Sequence, residues 1–262
     1  MGCMNILSGY AKNNHQPQLD AINLLVLNLM PNRAETEHQI ISLLKRTPHN
    51  FNVTFCRMKS HHIKHFDSEI IAKYVSLADI RDQHFDALLV TGAPIDQKQF
   101  TDIDYWDEFK TFLDWRKTHV NTSLFSCWAA WAAGTVDEVL TGVPVTDKIY
   151  GVYTTNGITM PHSRYFKIPQ TSVKADVLAG NDEIGATVIF DQQTKSYYVT
   201  GHFEYGTTTL ANEYFRDVKN GLQTAEPKNY FDQNQHPHNT WNADATKFYR
   251  HWLNQFATTA QN

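Results

Sequence analysis

The chain has 262 residues, 42% of them apolar and 13% aromatic, with a formal net charge of −4. That is enough apolar content for a large packed core and excludes a disordered chain. The basic residues are scattered, which argues against a nucleic-acid or anionic-membrane surface, and no apolar run reaches the length of a membrane span.

Three cysteines, Cys3, Cys56 and Cys127, are an odd number without paired spacing and read as free thiols. The N-terminus lacks the charged-then-apolar layout of a secretory signal, so a cytoplasmic protein is expected. Residues 1–20 are polar and read as a loose lead-in to a single α/β domain over 21–262. Ile22 to Leu27 is a continuous apolar run of the kind a buried parallel strand shows. In the helix that follows, Asn32 and Glu35 resemble a capping box, and Ile40, Ile41, Leu43 and Leu44 form the apolar face. Asn52 to Met58 alternates around Val53 and Phe55 and reads as a second strand. Phe85 to Val90 is a third apolar run, closed by Thr91-Gly92-Ala93-Pro94. Asp104 to Thr118 is helical, with Trp106, Phe109 and Leu113 on one face. Thr122 to Phe125 is a fourth strand, and Asp147 to Tyr165 is turn-rich and unassigned. Ala186 to Phe190 and Ser196 to Thr200 read as paired strands, and Leu210 to Leu222 and Ala243 to Phe256 as helices. Strands alternating with helices imply a mostly parallel sheet covered by helices on both faces. Ligands in such sheets bind beyond the carboxyl ends of the strands. Three segments end there: Asn28 to Pro31, Thr91 to Asp96, and Ser126 to Trp128.

Cys127 lies where the strand-like run Leu124-Phe125-Ser126 becomes the small-residue helix Trp128-Ala129-Ala130. At such a turn the sulfur is lifted to the sheet edge, and the positive end of the helix favours thiolate. Far downstream, His202 has Glu204 two residues on, a base and its orienter side by side if the backbone is extended. The set points to cysteine acyl transfer. Cys56 reads as core. His61, His62 and His65 have metal-compatible spacing, but no second cluster completes a site, so no metal is expected. No phosphate-cradling glycine loop or dinucleotide fingerprint is present. On the helix after His202, Glu213 and Arg216 are three apart. That spacing is commonly a surface pair, whereas a functional Arg216 would grip the carboxylate of a zwitterionic substrate.

Ordered blocks along the chain carry a resemblance. They are Leu27-Asn28-Leu29-Met30-Pro31-Asn32 with Glu35-Thr36-Glu37, Val90-Thr91-Gly92-Ala93-Pro94, Phe125-Ser126-Cys127-Trp128-Ala129, Gly151-Val152-Tyr153, Pro161-His162-Ser163-Arg164-Tyr165, Val199-Thr200-Gly201-His202-Phe203-Glu204-Tyr205 and Glu213-Tyr214-Phe215-Arg216-Asp217. In these the sequence resembles the homoserine O-acyltransferase family. The resemblance implies a class I glutamine-amidotransferase-like, flavodoxin-like α/β fold and a homodimer. It implies Cys127 as acyl-thioester nucleophile, His202 as general base and Glu204 as its partner. It also implies Lys148, Ser163 and Arg216 as contacts to the amino-acid acceptor, and Asp96 as the position that goes with acyl-donor choice. An acid there would repel the free carboxylate of a succinyl group, so acetyl-CoA is expected over succinyl-CoA as co-substrate, with no bound cofactor. The backbone N–H groups of Trp128 and of the Leu29–Met30 turn are the expected oxyanion donors.

Two departures stand out. Phe203 replaces a proline common in the family. Only fourteen residues separate Lys148 from Ser163, a segment markedly longer in typical members. If that segment walls the acceptor pocket, L-serine competes with L-homoserine, and the expectation leans slightly to serine. One methylene is worth only about 1–3 kcal/mol in an apolar pocket. A glutamine amidotransferase-type hydrolase is the alternative, since it uses the same three side chains.

Overall fold

The computed structural model describes residues 3–13, 16–62 and 68–257. The first half runs β1 (Met4–Ile6), β2 (Ile22–Leu27), α1 (Arg33–Leu44), β3 (Phe51–Cys56), α2 (Ser68–Lys73), α3 (Leu77–Ile80), β4 (Phe85–Val90), α4 (Trp106–His119), β5 (Val120–Ser126) and α5 (Trp128–Val136). The second half runs β6 (Val143–Thr155), β7 (Ile158–Lys167), β8 (Asp176–Asn181), β9 (Gly185–Asp191), β10 (Ser196–Val199), α6 (Thr209–Lys219) and α7 (Asn242–Ala257). The main sheet has eight strands in the order β1-β3-β2-β4-β5-β10-β9-β8. β1 to β5 and β10 run parallel, and β9 and β8 extend the sheet antiparallel.

The continuous apolar runs are explained by burial on both faces. Leu25 and Leu27 of β2 pack with Phe109 and Leu113 of α4 and the alanines of α5, whereas Leu24 and Val26 pack with Ile40 of α1 and Trp252 of α7. Each such side chain contributes about 1.5–3 kcal/mol on burial, which holds the helices against the sheet. No helix among the described residues is long and apolar enough to cross a membrane.

Three expectations need correction. Met4–Ile6, within the stretch expected to be loose, is an edge strand in register with Phe51–Val53. The polar residues beyond it are tied down as well, since Glu37 accepts the N–H groups of Tyr10 and Ala11 at 3.0 Å each. Asn32 caps α1 without a side-chain cap bond, and its amide instead donates to Glu35 Oε2 at 2.6 Å, so no capping box forms. The unassigned Asp147 to Tyr165 region is an antiparallel hairpin, β6–β7, separate from the main sheet. Its turn is Asn156-Gly157, both at positive φ (49° and 76°), between the paired residues Thr155 and Ile158. Asn-Gly between strands is a strong hairpin signal, because both turn residues must tolerate positive φ. In β6, Gly151 sits at φ 134°, where a Cβ would come within 2.3 Å of the Lys228 carbonyl oxygen. Its lack of a side chain lets Lys228 pair with Tyr150 and Val152.

Candidate active site

Cys127 is the single residue between β5 and α5, at φ 51° and ψ −118°. A non-glycine residue there carries strain of about 1–3 kcal/mol. The surroundings enforce it. Cys127 N–H donates to Val199 O at 2.7 Å, and Cys127 C=O accepts from Ala130 and Trp131 at 3.0 and 3.3 Å. The sharp strand-to-helix turn holds the sulfur at the carboxyl edge of the sheet and the N-terminus of α5.

His202 comes from the segment after β10, the strand beside β5. Two bonds fix that segment: Ser126 Oγ donates to Gly201 O at 3.0 Å, and His202 N–H donates to Pro161 O at 2.8 Å. His202 Nδ1 meets Glu204 Oε1 at 2.7 Å. The pair sits side by side as expected, but Glu204 lies in a turn rather than in an extended strand. An ionised carboxylate only accepts, so Nδ1–H donates to Glu204 and the other side of the ring is left to Cys127. Phe203 between them turns the other way and stacks on Phe248 of α7, 4.8 Å between centroids. Burial opposes charge on His202. The Cys127 and Glu204 charges, with hydrogen bonds to both, outweigh it and hold the ring protonated well above its ordinary range.

Arg164 supplies a further fixed charge near Cys127. It is fully buried, and its guanidinium donates to Phe166 O, to Ile184 O at 2.9 Å and to His162 Nδ1 at 3.4 Å. Burial lowers its pKa to about 10, with the Cys127 charge the first to oppose that, so Arg164 remains a cation at neutral pH. His162 is pushed well below its usual value by burial and by Arg164, and stays neutral. Strand alternation in β7 sends His162 and Arg164 into the interior and leaves Ser163 and Tyr165 on the cavity.

A cavity of about 380 Å³ opens onto Cys127 and His202, and it is lined also by Asp96, Lys148, Ser163 and Arg216. Every side chain expected to touch substrate is therefore brought to one space, with Glu204 behind His202. Two acids organise the side of the cavity that holds Lys148, Ser163 and Arg216: Glu213, expected only as a helical pair with Arg216, and Asp217, to which no role was assigned. Glu213 accepts from Ser163 Oγ and from Tyr205 O–H, each at 2.7 Å. Asp217 receives Lys148 at 3.6 Å and a fork from Arg216 Nε and a terminal nitrogen at 3.0 and 2.8 Å. Arg216 thus pairs with its neighbour and not with Glu213. Tyr205 also stacks on His202, centroids 4.1 Å apart. Asp96 Oδ2 accepts Tyr165 N–H at 2.6 Å, and burial raises its pKa against that bond.

Two of the three expected oxyanion donors are already engaged. Leu29 N–H donates to Thr91 Oγ1 at 2.8 Å, from the end of the neighbouring strand β4, and Met30 N–H donates to Asn28 Oδ1 at 3.2 Å within the turn itself. Trp128, the first residue of α5, keeps an N–H that no carbonyl one turn back can take. Cys56 is buried in the core, with its thiol pushed up by burial. His61 Nδ1 rests on Asp104 at 3.1 Å, and His65 lies outside the described residues. Among the described residues no group of three or more His, Cys, Asp or Glu could hold a metal ion.

Solved structures with the same architecture include a glutamine amidotransferase from Thermotoga maritima (TM-score 0.58, 8% identity, covering 90% of this chain and 98% of that one). Another is a glutamine amidotransferase from Methylobacillus flagellatus (TM-score 0.52, 9% identity, 92% and 94%). At such identities the likeness shows the fold, a class I glutamine-amidotransferase-like α/β sheet. In sequence, the chain is 45% identical over 245 residues to a homoserine O-acetyltransferase of Leuconostoc mesenteroides, covering 88% of this chain and 80% of that protein. It is 36% identical to a homoserine O-acetyltransferase of Streptococcus thermophilus (89% and 81%) and 34% identical to a homoserine O-succinyltransferase of Pseudoalteromonas translucida (91% and 83%). The profile described as homoserine O-succinyltransferase matches residues 4–261, and the chain belongs to that family.

Proposed function

We propose that the protein transfers an acetyl group from acetyl-CoA to the side-chain hydroxyl of L-homoserine through a Cys127 thioester. The observation that carries this is the Cys127–His202–Glu204 set facing a cavity whose far side holds two cations and two acids. In the first half, the Cys127 thiolate attacks the thioester carbonyl, a new carbon–sulfur bond forms and CoA leaves, taking a proton from His202. In the second half, the acceptor hydroxyl gives its proton to His202 Nε2 and its oxygen attacks the acyl carbon, expelling the Cys127 thiolate. Base assistance of this kind is worth about 10²–10⁴-fold. Trp128 N–H faces the developing oxyanion, a donor commonly worth about 3 kcal/mol.

Lys148 and Arg216 suit the acceptor carboxylate, and Glu213 and Asp217 suit its ammonium group. Asp96 disfavours a second carboxylate on the acyl chain. The acetyl donor is also the one named for the Leuconostoc and Streptococcus relatives. The ground for preferring serine is the short Lys148–Ser163 segment, yet no residue between those two lines the cavity. The Asn156-Gly157 turn lies roughly 20 Å along β7 from Ser163 at the rise of an extended strand. A segment that does not line the cavity gives no ground for a smaller acceptor, and the relatives' named acceptor supports homoserine.

The test is CoA release by the purified protein from acetyl-CoA or succinyl-CoA, with L-homoserine and L-serine offered separately. The expected result is acetyl-CoA turnover with homoserine as the best acceptor. Turnover with serine alone would overturn the acceptor, succinyl-CoA preference would overturn the donor, and glutaminase activity without CoA release would overturn acyl transfer.

A further inference from the structure

A second cavity, of about 740 Å³, adjoins the catalytic one, and the two share Pro31, Ala93 and Pro94 as a common wall. Its walls are largely apolar, with Leu29, Ile95 and Ile103 among them, and Arg33 lines it too. Arg33 is only 7% exposed, and its Nε has no hydrogen-bond partner. Glu37, one turn along α1, is not available to it, because its two oxygens take Tyr74 O–H and the N–H groups of Tyr10 and Ala11. The nearby charged group is another cation, Arg57, whose Nε is likewise buried and unpartnered. Among the described residues neither arginine has a carboxylate within ion-pair distance. Two half-buried or buried guanidinium groups kept together without an acid are costly unless an anion completes them. At the rim, Lys98 is exposed, and the acids present are Asp102 and Asp104. Asp104 is occupied by His61 Nδ1 at 3.1 Å and His62 N–H at 2.6 Å.

A largely apolar cavity that shares a wall with the cavity lined by Cys127, and that carries an uncompensated arginine, matches one part of the proposed donor. The pantetheine arm of an acyl-CoA is long, with alkyl segments broken by two amides and a hydroxyl, and it ends in a diphosphate. We propose that this second cavity binds the pantetheine and diphosphate of the acyl-CoA, with the thioester entering the catalytic cavity past Pro31 and Pro94 and Arg33 receiving the diphosphate. The assignment rests on the acyl-CoA reading of the Cys127 site.

The experiment compares acetyl-CoA with S-acetylpantetheine, which carries the same thioester and arm but no phosphate, in the wild type and in Arg33→Gln, Arg33→Lys and Lys98→Gln. Arg33→Gln is expected to lower kcat/KM for acetyl-CoA about 10–100-fold, mostly through KM, the size of losing charge-assisted hydrogen bonds. The loss with S-acetylpantetheine is expected to be at least about fivefold smaller, and Arg33→Lys should recover part of the acetyl-CoA activity. Lys98→Gln, an exposed change that leaves the core alone, should weaken acetyl-CoA in the same direction by a few-fold and flatten its salt dependence. If S-acetylpantetheine turns over too slowly, the same contrast is read from the Kd of CoA against pantetheine by calorimetry. Equal losses with both donors, or no loss with acetyl-CoA in an active Arg33→Gln protein, would overturn the site. A wild type inert toward both donors would instead remove the acyltransferase reading on which it stands.

Discussion

Ser163 Oγ donates to Glu213 Oε2 at 2.7 Å and joins the β6–β7 hairpin to helix α6 across the acceptor side of the cavity. The other Glu213 oxygen takes the hydroxyl of Tyr205, whose ring lies on the His202 imidazole. One carboxylate thus ties Ser163 to the ring that stacks on His202. Glu213→Gln is expected to raise the KM for the amino acid about 10–100-fold, while the first burst of CoA release stays close to wild type. Burst and steady-state kinetics read the two halves separately, and a lost burst would show that Glu213 serves the first half instead.

Cys127→Ser is expected to abolish the CoA burst and to cut turnover by about 10³-fold or more. Glu204→Gln should keep the fold and reduce kcat by about 10³–10⁴-fold, because the amide no longer selects the imidazole tautomer that leaves Nε2 free. Mass spectrometry of the acetyl-CoA-treated protein gives a second check, since acetylation of Cys127 should vanish in the serine variant.

The pH behaviour follows from His202. Its folded value is raised, so its contribution to stability is full below the unfolded value near about 6.5 and is lost as pH rises through the higher folded value. Removing Cys127 removes the leading charge that raises it. Cys127→Ala should therefore bring the His202 ring titration, followed by NMR, to lower pH than in the wild type. The fall in Tm with rising pH should be correspondingly smaller in the variant. An unchanged titration would mean that Glu204 alone sets the charge of His202.

Gly92 backs the catalytic pair. A Cβ added there would stand 3.1 Å from Cys127 Cβ and 3.1 Å from His202 Cε1. Gly92→Ala is expected to leave Tm within a few degrees of wild type. It should lower kcat about 10–100-fold, since small displacements of reacting groups cost that much. Circular dichroism and the burst rate measured on the same sample decide it.

Asp96 should set the donor. Asp96→Gly removes a half-buried carboxylate from the cavity wall, and the ratio of acetyl-CoA to succinyl-CoA turnover should fall at least about tenfold. A ratio that does not move would place donor choice elsewhere in the cavity.

The amino-acid sequence by itself determined the ingredients of the sheet and pointed to the residues that meet at the cavity. Continuous apolar runs such as Ile22–Leu27 and Phe85–Val90 are buried on both faces, and that burial is a local property of composition. His202 and Glu204, two residues apart, are close enough along the chain for their pairing to be legible, and the strand-to-helix junction at Cys127 is likewise a local pattern, whereas the meeting of Cys127 with His202 far downstream is not. The hairpin turn Asn156-Gly157 was legible too, but the irregular strand β6, with its bulge between Pro144 and Ile149, hides the alternation that would frame it. Tertiary structure decided the rest. Met4–Ile6 becomes a strand because β3 offers it an edge. Leu29 N–H is taken by Thr91, sixty-two residues away, so it leaves the oxyanion site. Glu213 and Asp217 meet Ser163 and Lys148 only because the hairpin carries those two residues to α6. Long-range hydrogen bonds depend on which segments the packing brings together, and no local pattern in the chain records that.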